Sequence, residues 1–467
     1  MPPFTVRDVV RATQGALIGG DLGVPVTGVS IDSRSLRIGE SFFAIRGHRR
    51  DGHGFIKEAA SRGASSLVVH SLPDDPPPNV PIILVDDTTL ALGRLAAFHR
   101  SRFDIPVVAV TGSNGKTTTK EMIAAVLGTR WNVLKPVGSF NNQWGLPLTL
   151  LGLTPEHQAV VVELGTNCPG DIESLARIAR PTVGVVTTIT HVHTEFLGSL
   201  EGIRREKGAL VTAIPPSGFV ILNADDPLVL TMAQEAQGRV ITYGTSAVAQ
   251  VGAEGDVGEE AGRLMFTLAF QDRRSRVRLP FVGRHNVNNA LAAAAVGMVL
   301  GFSHDEIVAG LEAARPAPGR LIWRQAGGVR ILDDSYNANP ASLRSALAAL
   351  AAAPRGGRMA VALGDMLELG PIAGEAHEEA GRMAASLGVV EFVGVGPLAR
   401  LAVEAARAGG VLESHHVEAV EDAVALLLKR LAPGDVLLVK GSRATRMERV
   451  ADALCARWGE GNAGEGR

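Results

Sequence analysis

The chain reads as an α/β protein of three domains, and three observations predict it. Short apolar runs end abruptly in polar residues and are separated by helical patterns, which is how a parallel sheet looks in sequence. Between residues 105 and 121 a strand-like run meets a glycine turn and then a helix. After Leu321 a second set of strand-like runs alternates with helices. The 467 residues suffice for roughly three domains of ordinary size. Expected boundaries are a small α/β domain over 1–86, a central phosphate-loop domain over 87–320, a Rossmann-like domain over 321–458, and a disordered tail over 459–467.

In the first segment, VTGVSIDSRSLRIGESFFAIRG alternates apolar and polar residues around Asp32-Ser33-Arg34. RRDGHGFIKEAASRGASSLVVH then reads as a turn, a helix and an apolar strand, and Pro73 to Pro78 as a surface loop. A helical run, LALGRLAAFHRSR, leads into the next domain.

The central segment opens on IPVVAVTGSNGKTTTKE. Val107 to Val110 reads as a buried strand, and helical spacing resumes from Lys120 to Leu127. Between them Gly112, Ser113, Asn114, Gly115, Lys116, Thr117 and Thr118 form a phosphate cradle. Backbone N–H groups and the helix dipole attract the anion, Lys116 reaches the outer phosphates, and the Thr117 hydroxyl can ligate Mg²⁺. Val110 stands where the common pattern has its first glycine, so the loop is a variant. Further strands end in Glu163, in Thr187 to His193, and in Asn223-Ala224-Asp225-Asp226. Ligands bind beyond the carboxyl ends of such strands, so Lys116, Glu163 and His193 are expected to converge. Glu163 alone would pass for a helix cap or surface charge; beside a phosphate loop it becomes a hard oxygen ligand for Mg-ATP. Lys207, in EGIRREKGAL, reads by composition as a solvated helix lysine. Residues 246–281, with a turn at Asp272-Arg273-Arg274-Ser275, read as an antiparallel β insertion.

The last segment carries strands VRILDD, RMAVALGD, EFVGVG and DVLLVKGS. Asp333 to Pro340 packs many hydrogen-bonding side chains at one strand end, which suits a bound ligand better than a plain turn.

Composition closes several routes. A hydrophobic share of 46% with 20% charged residues is that of a soluble globular chain, and no apolar run approaches about 18 residues, so no membrane insertion is expected. A net charge of −2 with 4% aromatics argues against nucleic acid. The N-terminus lacks a signal-peptide apolar region, so a cytoplasmic enzyme is expected. Cys168 and Cys455 are expected to be packing residues in a reduced compartment.

These pieces resemble the Mur ligase family, the ATP-dependent amide ligases of peptidoglycan synthesis. The resemblance rests on DSR and DGH in the first segment, TGSNGKTTTKE, NNQWGLPLTL, ELGTN, LNADDP, HNVNNALAA and PGRL, and spans nearly the whole chain. It implies ATP held by the loop, with two Mg²⁺ sites: Thr117 and Glu163 at one, His193 and a carbamylated Lys207 at the other. His191 drops out, because family spacing from Gly198 selects His193. Asn289 matches the adenine contact, Arg320 a phosphate-facing arginine and Asp334 the ribose contact. Asp32, Ser33, Arg34, Asn141 and Asn142 stand where the family holds its UDP-muramoyl substrate, and Tyr336, Asn337, Asn339, Asp365 and Lys440 complete the substrate side. Cys168 and Trp144 depart from the family's usual residues.

Within the family, DSYNANPAS, GDMLELG and KGSRATRME look like the type that adds D-alanyl-D-alanine to UDP-N-acetylmuramoyl-tripeptide. The implied protein is a monomer whose domains close over an acyl phosphate. A sibling ligase adding the third residue, a folyl-polyglutamate-type ligase, or a nucleotide-dependent switch are the alternatives.

Overall fold

The computed structural model describes residues 4–461 except 48, 49, 193, 261, 354 and 355. The described residues build three sheets of five, nine and seven strands, plus a two-stranded ribbon, Phe4–Thr5 with Pro25–Val26.

The first domain starts with the helix Val6–Thr13, whose orphan N–H groups are met by a reciprocal cap. Asp8 N donates to the Thr5 hydroxyl, and Thr5 N donates to the Asp8 carboxylate. Its sheet runs in the order Ala16–Gly19, Ile82–Leu84, Ser66–Val69, Glu40–Phe43, Gly28–Ser30, parallel except at the first pair. The Asp87 carboxylate accepts from Thr89 N and Leu90 N and so begins the helix Thr88–Arg100. Ala91, Leu92, Leu95 and Ala96 of this helix share one core with Val6, Val9 and Phe43 of the first domain and with Leu146 and Leu150 of the second.

The central sheet runs Arg273–Leu279, Arg263–Phe270, Val251–Glu260, Arg239–Gly244, Phe219–Asn223, Val183–Val186, Val107–Thr111, Ala159–Glu163, Val133–Leu134. Its strands are parallel up to Val251–Glu260. Both faces are covered, which is why the strands are continuous apolar runs. Val107 and Ala109 enter one core, while Val108 and Val110 enter the other with the Ala-rich helix His285–Val299. Register places Glu163 beside Val110 and Val186 beside Thr111, so three strands end together at the glycine loop.

Residues 246–281 form the expected antiparallel β unit: Val251–Glu260 joins Arg239–Gly244 at the edge of the central sheet in parallel, and Arg263–Phe270 and Arg273–Leu279 follow it antiparallel. Its turn falls earlier than the expected Asp272 to Ser275. The turn is Gln271-Asp272, because Gln271 takes the left-handed conformation (φ 52°) that lets Phe270 pair with Arg273.

The last sheet runs Glu413–Val417, Glu391–Val395, Met359–Gly364, Val436–Lys440, Val329–Asp334, Ile322–Ala326, Glu460–Gly461. The first five are parallel, and strand order reverses between Met359–Gly364 and Val436–Lys440, opening a crevice at their carboxyl ends. The tail expected to be disordered from residue 459 begins instead with a strand: Glu460–Gly461 pairs with Gln325 and Ala326, and Glu460 accepts from Arg324 at 2.9 Å. Residues 462–467 of that tail lie outside the described residues. Among the described residues no helix is long and apolar enough to cross a membrane.

Candidate active site

The glycine loop sits between the strand Val107–Thr111 and the helix Lys116–Leu127, whose first N–H groups have no intrahelical partner. Its shape demands two glycines. Gly112 has φ 145° and Gly115 φ 83°; a Cβ on the first would collide with the Thr187 hydroxyl, and one on the second would lie 2.5 Å from Asn289 Oδ1. The neighbouring strand end pins the loop, with Ser113 N on Thr188 O at 2.7 Å and Asn114 N on Thr188 Oγ1 at 3.1 Å. Lys116 Nζ folds back onto Gly112 O at 2.8 Å. Desolvation holds its pKa below the ordinary lysine range, with Glu163 opposing and Arg320 adding to the shift.

Around the loop opens a cleft of about 920 Å³ lined by residues of the central and last domains. Thr117 Oγ1 faces Ser139 Oγ at 3.2 Å and receives Arg320 Nη2 at 3.3 Å. Glu163 is fully buried. Its Oε1 accepts from Asn141 Nδ2 at 2.8 Å, while Oε2 has no hydrogen-bond partner among the described residues. A buried carboxylate oxygen without a donor is costly, and a divalent cation shared with the Thr117 hydroxyl would satisfy it. The site therefore fits the metal that the sequence suggested. Ser139 escaped the sequence reading; its only signal was its position two residues before Asn141-Asn142.

Lys207 is not the solvated lysine its composition suggested. On the helix Leu200–Thr212 it is 1% exposed, because this helix turns that face to the sheet and the cleft. Desolvation, then the nearby Lys116 charge, push its pKa well below the ordinary value, and Glu206 opposes them only weakly. The Glu206 carboxylate is committed to Gly170 N at 2.7 Å and Ile172 N at 2.8 Å, so it caps the helix Asp171–Ala179. Lys207 forms no ion pair among the described residues. His193 lies outside the described residues, and His191 is exposed.

From the last domain, Arg320 lays its guanidinium over the Tyr336 ring, 4.0 Å from the centroid. Asp334 accepts from Leu321 N at 3.2 Å through Oδ1 and pairs through Oδ2 with Lys440, whose Nζ also reaches Asn337 O at 2.9 Å. Asn339 bridges to Asn114, and Thr118 and Asn337 line the cleft. Asn289 is engaged at both ends, by Thr119 at 3.1 Å and by Asn286 at 2.8 Å. Asn142 caps the helix Gly145–Leu151 by accepting from Gly145 N at 2.9 Å.

Some expected residues stand apart. Asp365 turns its carboxylate to Ala399 N at 2.7 Å at the start of the helix Ala399–Ala408, and a Cβ on Gly396 would strike it. It caps that helix and does not line the cleft. Asp32, Ser33 and Arg34 do not line the cleft. Arg34 bonds Asp32 directly and holds its carboxyl down to about 2, and Ser33 donates to Glu58 at 2.8 Å. Cys455 is buried as expected, but Cys168 is exposed and lines the cleft.

A phosphate loop, a buried carboxylate with one oxygen unpartnered and a buried lysine with no ion pair among the described residues, in a cleft completed by a second α/β domain, define an enzyme acting on a nucleotide. Comparison with known proteins agrees with this at the level of domains. The Mur ligase middle domain model matches 110–297, the Mur ligase glutamate ligase domain 319–443, and the Mur ligase family catalytic domain 25–100. The chain belongs to the Mur ligase family and is an ATP-dependent ligase.

It is 37% identical to the UDP-N-acetylmuramoyl-tripeptide–D-alanyl-D-alanine ligase of Escherichia coli, over 97% of this chain and 99% of that one. The ligase of that name from Bacillus subtilis is 34% identical over 96% and 98%. Among solved structures, MurF from Acinetobacter baumannii superposes with a TM-score of 0.89 at 33% identity, covering 98% of this chain and 99% of that one. MurF ligase from Thermotoga maritima in complex with ADP gives 0.80 at 29% identity over 91% and 96%.

Proposed function

We propose that this ligase joins D-alanyl-D-alanine to UDP-N-acetylmuramoyl-tripeptide at the expense of ATP, in the cytoplasm and as a monomer. The relatives' shared activity supports the substrates. The observation that carries the chemistry is the buried, unpartnered Glu163 Oε2 beside Thr117 and the phosphate loop.

The reaction brings two anions together, since the tripeptide's terminal carboxylate attacks the γ-phosphorus of ATP. At about 4 Å and an effective dielectric near 20, each like-charge pair costs about 4 kcal/mol. Lys116 and Arg320 are the fixed cations that oppose this repulsion, and their preorganisation carries much of the catalysis. Thr117 and Glu163, with Ser139 alongside, would hold a Mg²⁺, and His193 with Lys207 a second, each supplying further charge neutralisation. The neutral amine that burial favours on Lys207 can add to CO₂, releasing a proton and leaving a carbamate whose oxygens are anionic ligands. ADP leaves, and the free amine of D-alanyl-D-alanine attacks the acyl phosphate carbonyl, expelling phosphate. Arg320 and Asn339 bring the last domain onto the loop and so keep water from the acyl phosphate.

Phosphate release with candidate amines tests the assignment. Turnover with D-alanyl-D-alanine and none with single amino acids is the expected result; the reverse would reassign the chain to a sibling ligase, and release without either substrate to a nucleotide switch.

A further inference from the structure

Lys120 is a buried charge that the mechanism above does not use. It lies one turn beyond Lys116 on the same helix, and its side chain is 0% exposed. Burying an ammonium is unfavourable unless its donors are met, and here they are met in one direction. Nζ donates to Gly138 O at 2.6 Å and pairs with Glu121 Oε1 at 3.0 Å; the other oxygen of Glu121 pairs with Lys135. Lys120 and Glu121 thus tie two points of the 135–140 loop to the phosphate-loop helix.

Beyond the buried Pro136 the loop is open. Val137 is 84% exposed, Phe140 is 52% exposed, and Gly138 adopts φ 63°. Yet the next residue, Ser139, presents its hydroxyl to Thr117, and Asn141 holds Glu163 Oε1. Adjacent Cα atoms are about 3.8 Å apart, so fixing the Gly138 carbonyl fixes where Ser139 can point.

We propose that Lys120 is a positioning residue, acting through the Gly138 carbonyl to hold Ser139 beside Thr117 and Glu163, so that the three present converging oxygens to a divalent cation on the nucleotide. The inference rests on the metal-nucleotide reading of the cleft.

The test uses the full-length protein with Mn²⁺ and a non-hydrolysable ATP analogue, followed by electron paramagnetic resonance, alongside Mg²⁺ dependence of phosphate release and thermal melts. Lys120→Met and Ser139→Ala should each weaken Mn²⁺–nucleotide binding about tenfold, the usual scale for residues that orient a ligand. Half-saturation for Mg²⁺ and KM for ATP should rise more than kcat falls, and the double variant should be no worse than the weaker single one. Unchanged Mn²⁺ binding in Ser139→Ala overturns the proposal whether or not Lys120→Met folds. So does a folded Lys120→Met with wild-type binding, which would make Lys120 a packing residue. If the wild type itself bound no Mn²⁺–nucleotide, the ligase reading would fall first, and this inference with it.

Discussion

The side-chain amide of Asn339 donates to the side-chain oxygen of Asn114 at 2.7 Å, joining the first turn of a last-domain helix to the phosphate loop. Each partner is held from its own side. Asn339 Oδ1 caps the helix Pro340–Ala352 by accepting from Ser342 N, and Asn114 Nδ2 donates to Thr190 Oγ1. Asn339→Ser keeps a capping oxygen and removes the bridging amide. A hydrogen bond of about 1 kcal/mol corresponds to a roughly fivefold shift between closed and open domains. Small-angle scattering with an ATP analogue should show a contraction in the wild type that is reduced in Asn339→Ser, with similar melting temperatures.

Glu163→Gln keeps an acceptor for Asn141 but loses the charge that Oε2 offers a cation. Phosphate release is expected to fall by about 10²–10³, the scale on which fixed transition-state electrostatics act. Stability without metal or nucleotide should hold or rise, because a buried carboxylate oxygen without a hydrogen-bond donor has been removed. A parallel melt and activity assay reads both.

Lys207 gives a pH signature. Its folded pKa lies well below its unfolded one, so between the two values the unfolded chain binds more protons and stability rises with pH. Below the depressed value the penalty is at full size, and above the ordinary lysine value it is gone. Lys207→Met should therefore melt higher than the wild type near neutral pH, with the gap closing at alkaline pH. Bicarbonate should restore activity to CO₂-depleted wild type and leave Lys207→Met inactive.

The Lys440–Asp334 pair is buried, with side chains 1% and 11% exposed. Desolvation lowers the pKa of Lys440, and Asp334 opposes the shift. Lys440→Met strands the carboxylate and should cost about 3–5 kcal/mol, whereas Asp334→Asn with Lys440→Met should cost much less. Urea unfolding of the three proteins measures this, and equal losses in both variants would deny the coupling.

Much of this could be seen in the residue string because it depends on neighbours in sequence. A strand buried on both faces must be apolar throughout, and Val107–Thr111 and Ala159–Glu163 are. A glycine turn before a helix dictates where N–H groups point, so Gly112 to Thr118 were legible. Features that depend on which face a helix turns inward were hidden. EGIRREKGAL looks solvated until the helix is docked, and only then is Lys207 enclosed. Asp365 and Asp334 both end strands, yet one carboxylate is taken by a helix start and the other faces the cleft.

The amino-acid string determined the three-part α/β architecture, the phosphate loop and the family, because period, glycine placement and local motif are properties of adjacent residues. Tertiary structure decided which polar groups are buried and which of them face the cleft. Glu163 Oε2, the Lys207 amine and the Ser139 hydroxyl acquire their chemistry from desolvation and from partners far along the chain, and no local pattern encodes either. The final residues make the same point: GEG is polar and glycine-rich, but Glu460–Gly461 finds an open strand edge at Gln325 and Ala326. An unpaired edge supplies hydrogen bonds that composition alone cannot foresee.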